Sequence, residues 1–157
     1  MKLRVCLLLA SLFATTAASA AEMKIVRVFG GWRDAASFKR ISEYFDGKEN
    51  TGGQLVLRTH ADQRGGYYFL VRVANAGASL DARIKLHVVR PTTAASIIYS
   101  FSTPLPGGES VLQLGVTGPD WPDNKAHPVA WKLEIASADG RVLATEKSYL
   151  WEKPAGH

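Results

Sequence analysis

The sequence predicts a mainly β protein, an antiparallel sandwich of two sheets built from about eight strands. Apolar and polar residues alternate at period two in segment after segment, as half-buried strands require. Turn signals rich in Gly, Pro, Asn and Asp recur every roughly 8 to 15 residues. No long helical pattern separates the strands, so nothing supplies the crossovers of a parallel α/β sheet.

The densest run of aromatic and β-branched residues is Gly66 to Ala74, between Gly65-Gly66 and Asn75-Ala76-Gly77, and it reads as a central strand. Lys24–Phe29 is a first strand, ended by Gly30-Gly31. From Trp32 to Gly53 the strand pattern lapses. Phe38, Ile41 and Phe45 fall on one helical face, with Asp34 as N-cap and Gly47 as stop, so one short helix or an ordered loop is expected near residues 34–45. Leu55, Leu57 and Thr59 then alternate with Val56 and Arg58. Ile84, Leu86 and Val88 alternate with Arg83, Lys85 and His87, which marks a strand with one wet face. Ile97, Tyr99 and Phe101 form another set, followed by Leu112, Leu114 and Val116. Val129, Trp131, Leu133 and Ile135 lead to Asp139-Gly140, and a last strand returns from Val142 to Trp151. Asp-Gly between two such runs favours a type I′ hairpin.

The N-terminus reads as an export signal. Lys2 and Arg4 precede an apolar run from Val5 to Ala17, too short to span a bilayer, and Ala18-Ser19-Ala20 supplies the small-x-small cleavage site. Residues 1–20 are therefore expected to be a cleaved signal peptide and residues 21–157 a single domain, its last few residues flexible. Removing Lys2 and Arg4 leaves 17 basic residues against 14 acidic ones, a net charge of +3. That is an ordinary solubility charge and makes no case for nucleic acid. Cys6, the sole cysteine, leaves with the signal, so the mature chain must be stable without disulfides. No N-glycosylation sequon occurs. An exported, cysteine-free chain of this composition points to a bacterial periplasmic or secreted protein, not an integral membrane protein once the signal is gone.

In strand count and size the chain resembles an immunoglobulin or fibronectin type III-like sandwich. The Cys…Trp…Cys spacing of true immunoglobulin domains is absent, so the resemblance implies architecture and nothing about activity.

Motifs for chemistry do not survive inspection. Gly-x-Ser-x-Gly is missing, and the Gly pairs lack the spacing and Lys of a phosphate-cradling loop. His60-x-Asp62, His87 and His127 offer too few converging ligands for zinc, and Asp120-x-x-Asp123-Asn124 lacks the loop spacing for calcium. Glu43, Asp46 and Glu49 cluster, but beside Arg40 and Lys48 they read as a solvated, salt-bridged surface and not as a pair with one raised pKa. No catalytic residue, metal site or cofactor is expected.

Aromatic residues are the remaining signal. Trp32 and Trp121 fall in segments read as loops, and Tyr67 and Tyr68 cannot both face into one core. Trp32, Arg33, Tyr68 and Trp121 are thus the candidate binding residues, with plugging of the sandwich ends as the competing reading. The expected function is a non-enzymatic accessory or binding domain contacting an envelope or extracellular protein. The alternative is a carbohydrate-binding module that stacks polysaccharide on those rings.

Overall fold

The computed structural model describes residues 23–152; the segment read as a signal peptide and the last few residues lie outside the described residues. Eight strands form two four-stranded sheets. They are β1 (Met23–Arg33), β2 (Leu55–Arg58), β3 (Gly66–Asn75), β4 (Leu80–Val89), β5 (Ser96–Leu105), β6 (Gly108–Thr117), β7 (Ala130–Ser137) and β8 (Val142–Lys147). The first sheet runs β1-β3-β6-β2 and the second β5-β4-β7-β8. The alternation that predicted the strands also makes the core. Phe69 and Val71 of β3, Leu112, Leu114 and Val116 of β6, Ile84, Leu86 and Val88 of β4, and Leu133 and Ile135 of β7 are all fully buried. Their inward faces meet across the sandwich, with the Phe69 and Trp131 rings 5.9 Å apart.

Several expectations need correction. The pairing is not antiparallel throughout: β2 runs parallel to β6, with Leu55 opposite Leu112 and Arg58 opposite Gly115. Gly30-Gly31 does not end β1, which continues to Arg33 and pairs Gly30 with Phe69 and Trp32 with Tyr67. The glycine is needed inside the strand because the Tyr67 ring lies over it; a Cβ at Gly30 would stand 2.6 Å from the Tyr67 hydroxyl. Trp32 is therefore a strand residue packed against the core. A bulge at Val26, where the register shifts between Ile25 and Arg27, sets both Val26 and Arg27 opposite Arg72.

The helix expected over 34–45 breaks in two. A 3-10 turn covers Ala36–Phe38, Lys39 is extended, and a single helical turn, α1, covers Glu43–Asp46 and stops at Gly47. Asp34 does cap, accepting the Ser37 N–H at 2.7 Å. The three apolar residues do not share a buried face, since Phe38 is packed while Ile41 and Phe45 are exposed. What α1 buries is Glu43.

The hairpin at Asp139-Gly140 is not type I′ either. In this loop only Gly140 has positive φ, at 90°, and among the described residues no non-glycine residue does. Gly140 donates to the Ser137 carbonyl at 2.9 Å and Ser137 donates to that of Arg141 at 3.0 Å, with a register shift between Ile135 and Ala136. This is a type I turn closed by a glycine bulge, a three-residue loop in place of two. The last strand ends at Lys147, and Trp151 sits on a following 3-10 turn.

Candidate functional site

The outer face of the first sheet is divided in two. On one half, the segment from Asp34 to Gln54 folds over the sheet as a cover. Tyr68 points outward from β3, and the Phe38 ring packs on it with centroids 4.6 Å apart. Beneath, a polar network ties cover to sheet. Arg58 donates through Nε to the Tyr68 hydroxyl at 2.7 Å and through both Nη atoms to Glu49 at 2.9 and 2.6 Å. The Tyr68 hydroxyl donates in turn to the Arg64 carbonyl at 2.7 Å, and Arg64 donates to Glu43 at 2.6 Å. Glu43 also accepts the backbone N–H groups of Arg40 and Asn50. Tyr67 faces the core, so both tyrosines are buried, on opposite faces of β3.

This geometry fixes the protonation states. The Arg64 guanidinium holds the Glu43 carboxyl below its ordinary range despite the cost of burial, and the Arg58 guanidinium does the same to Glu49. Both are locked as anions, the opposite of the raised pKa a general acid needs. The expectation of salt bridging holds here, but that of solvation fails for Glu43, which is buried. Desolvation pushes the Tyr67 and Tyr68 hydroxyls upward.

The other half of the face is open. Where the cover stops, β3 presents Leu70 and Arg72, β1 presents Val26, Arg27 and Phe29, and β6 presents Val111, around a shallow depression of about 280 Å³. All four apolar residues are exposed, Phe29 to 55 %. The Arg27 guanidinium lies 5.0 Å from the Phe29 ring centroid. Neither Arg27 nor Arg72 has a carboxylate partner among the described residues, whose ion pairs lie on the cover, at His60–Asp120, on the second sheet and at Lys147–Glu152. The outer face of the second sheet differs: His87 and Lys132 both engage Glu134, and Trp151 stands over them.

The candidate residues read from sequence do not converge. Trp121 is 2 % exposed, its ring 5.0 Å from that of Tyr67, and it plugs one end of the sandwich. Tyr68 is equally buried, at 2 %. Trp32 turns toward the inter-sheet space beside Tyr67, whereas Arg33 turns outward to stack on Phe38 and donate to Gln113 at 2.7 Å. These rings make no stacking platform. Among the described residues no three His, Cys, Asp or Glu side chains come together as metal ligands. His60 instead meets Asp120 at 3.1 Å, and Asp123 accepts the Lys125 N–H. Sequence reasoning missed Val26, Phe29, Leu70 and Val111; their signal was apolar residues at outward positions of strands whose inward positions were already apolar.

No family model matches the chain, and no curated protein does. Among solved structures it is similar to an immunoglobulin-like protein from Pseudomonas aeruginosa, with 15 % sequence identity, 82 % of this chain and 96 % of that chain covered, and a TM-score of 0.35. The sandwich itself is established by the pairing of the chain's own eight strands.

Proposed function

We propose that the protein is an exported, non-enzymatic binding domain that engages an envelope or extracellular protein through the open half of its first sheet. One observation carries this reading: four exposed apolar side chains surround a depression flanked by two arginines that have no carboxylate partner among the described residues. Aromatic, aliphatic and Arg side chains gathered around a concavity are the composition of a protein-binding hot spot. β3, which runs through the middle of this face, is hydrogen-bonded on both sides, to β1 and to β6. Of the clustered carboxylates, Glu49 is paired with Arg58 and Glu43 with Arg64. The polysaccharide alternative has lost its platform, since Tyr68 and Trp121 are buried.

The test is capture from native envelope extract with the chain from Ala21, compared with a Phe29→Ser/Leu70→Ser variant. Both residues are exposed, so stability should change by less than about 1 kcal/mol. A specific protein retained by the wild type should be lost by the variant, with affinity weakened about 30-fold for roughly 2 kcal/mol of anchor contact. Equal retention by both chains, or retention of polysaccharide alone, would sink the proposal.

A further inference from the structure

The cover carries a second apolar surface, at its outward tip. Ile41 is 78 % exposed, Tyr44 72 % and Phe45 86 %. Amphipathic helices on globular proteins turn apolar residues inward and charge outward. Here the segment does the reverse, burying the Glu43 carboxylate and presenting an aliphatic and two aromatic side chains to solvent. The arrangement is held firmly. Glu43 takes Arg64 and two backbone N–H groups, and Asn50 donates to the Ser42 hydroxyl at 2.9 Å.

We propose that this tip docks the protein onto an anionic lipid bilayer by inserting Ile41, Tyr44 and Phe45 at the headgroup–acyl boundary. Side chains this exposed are not packed into one rotamer by neighbours. A rigid protein groove would have to freeze them, whereas fluid acyl chains accept them as they move. Tyr44 presents an apolar ring with a polar end, the type of side chain that concentrates at membrane interfaces. The charge around the tip is complementary to acidic headgroups. Lys39, 4.8 Å from the Tyr44 ring centroid, Arg40 and Lys48 are exposed and lack carboxylate partners among the described residues. Glu43 and Glu49 are neutralised by Arg64 and Arg58, leaving Asp46, which accepts the Lys48 N–H at 3.0 Å, as the exposed carboxylate of α1. A second copy of the chain is a poor occupant, because two tips meeting face to face would oppose their own cations. The site is separate from the open half of the sheet, so either assignment can fail without the other.

The chain from Ala21 holds all eight strands and every core residue, so it can be tested without the signal. It should be sedimented with vesicles of phosphatidylglycerol and phosphatidylethanolamine, and with vesicles of phosphatidylcholine, at about 50 mM and about 0.5 M salt. The wild type should bind the anionic vesicles, more weakly at high salt and on phosphatidylcholine. Tyr44→Ser/Phe45→Ser should lower the partition coefficient at least about tenfold and Ile41→Ser by a smaller factor. Phe29→Ser/Leu70→Ser should bind as the wild type does. Unchanged thermal midpoints establish that the tip variants fold. The assignment is overturned if the wild type sediments with neither vesicle, if the tip variants bind equally well, or if binding ignores lipid charge. It also fails if the tip variants lose a captured protein while keeping their vesicle binding.

Discussion

At Glu43 a carboxylate occupies the inward position that helical periodicity assigned to Phe45. Arg64, which neutralises it, is 21 residues away, and no local pattern announces the pair. The acidic cluster was visible in the sequence, but its partners become legible only when β2 and β3 join one sheet, on either side of β6, under the cover. Two measurements probe this network. Tyr68→Phe removes a buried hydroxyl that accepts from Arg58 and donates to the Arg64 carbonyl, so it should cost about 1–3 kcal/mol in urea unfolding. The second is pH. Arg64 depresses the Glu43 pKa below its ordinary 4.5, so the stability this pairing contributes is complete above that value. It drains away as pH falls through the lower folded value. Amide protection factors in residues 34–54 should therefore fall below pH 4.5 while those of β3 and β4, held by an apolar core, are kept. Simultaneous loss of protection everywhere would show that the cover and the sandwich are one cooperative unit.

Among the elements, those with the strongest alternation were the most legible. In β4, Ile84, Leu86 and Val88 point inward as their spacing demands, and in β3 the aromatic run fixed the centre of the first sheet. Glycine proved the misleading residue, because it serves turns and close approaches alike. Gly30 looked like a strand end but accommodates a ring across the pair. Tyr67 is held between Phe69 and Trp121, with ring centroids 5.3 and 5.0 Å away, and has little room to yield. Gly30→Ala should thus cost about 1–3 kcal/mol by overpacking. Gly140→Ala should cost about 1–2 kcal/mol for a different reason, forcing a Cβ onto a φ of +90° with no neighbouring atom in the way. Chemical denaturation of both variants separates the two: in a Tyr67→Phe background, removing the hydroxyl should soften the first penalty and leave the second intact. The parallel β2–β6 pair was beyond reading, since four residues carry no information about the direction of their partner.

For the molecule as a whole, the two outer faces are chemically unlike. On the second sheet His87 and Lys132 share Glu134, while Arg83 and Lys85 stand exposed without an ion pair among the described residues. The open half of the first sheet has no carboxylate for Arg27 or Arg72 among the described residues and surrounds them with exposed apolar side chains. If the first face meets an acidic partner, Arg27→Glu/Arg72→Glu should slow association about tenfold or more at low salt and have less effect at high salt. Surface plasmon resonance against the captured partner reads this directly, and an unchanged association rate would place the partner elsewhere. Core disruption gives the contrasting control: Phe69→Ala should lose about 3–5 kcal/mol of stability and weaken both surfaces together. The sequence revealed the core because burial imposes a period. It hid the two exposed apolar surfaces proposed here as docking faces because exposed apolar residues obey none.

The strand order also sets a clock. In the second sheet β4–β5 and β7–β8 are neighbours along the chain and can zip as hairpins. In the first sheet no neighbours pair: β1 waits for β3, β3 for β6, and β2 must find β6 more than fifty residues later. Closing such loops costs entropy before any contact repays it, so refolding should take milliseconds to seconds, with hairpin amides protected before those of β2. For the exported chain proposed here, that delay is useful. On that proposal the chain would stay threadable while it crosses a membrane and become a sandwich only on the far side.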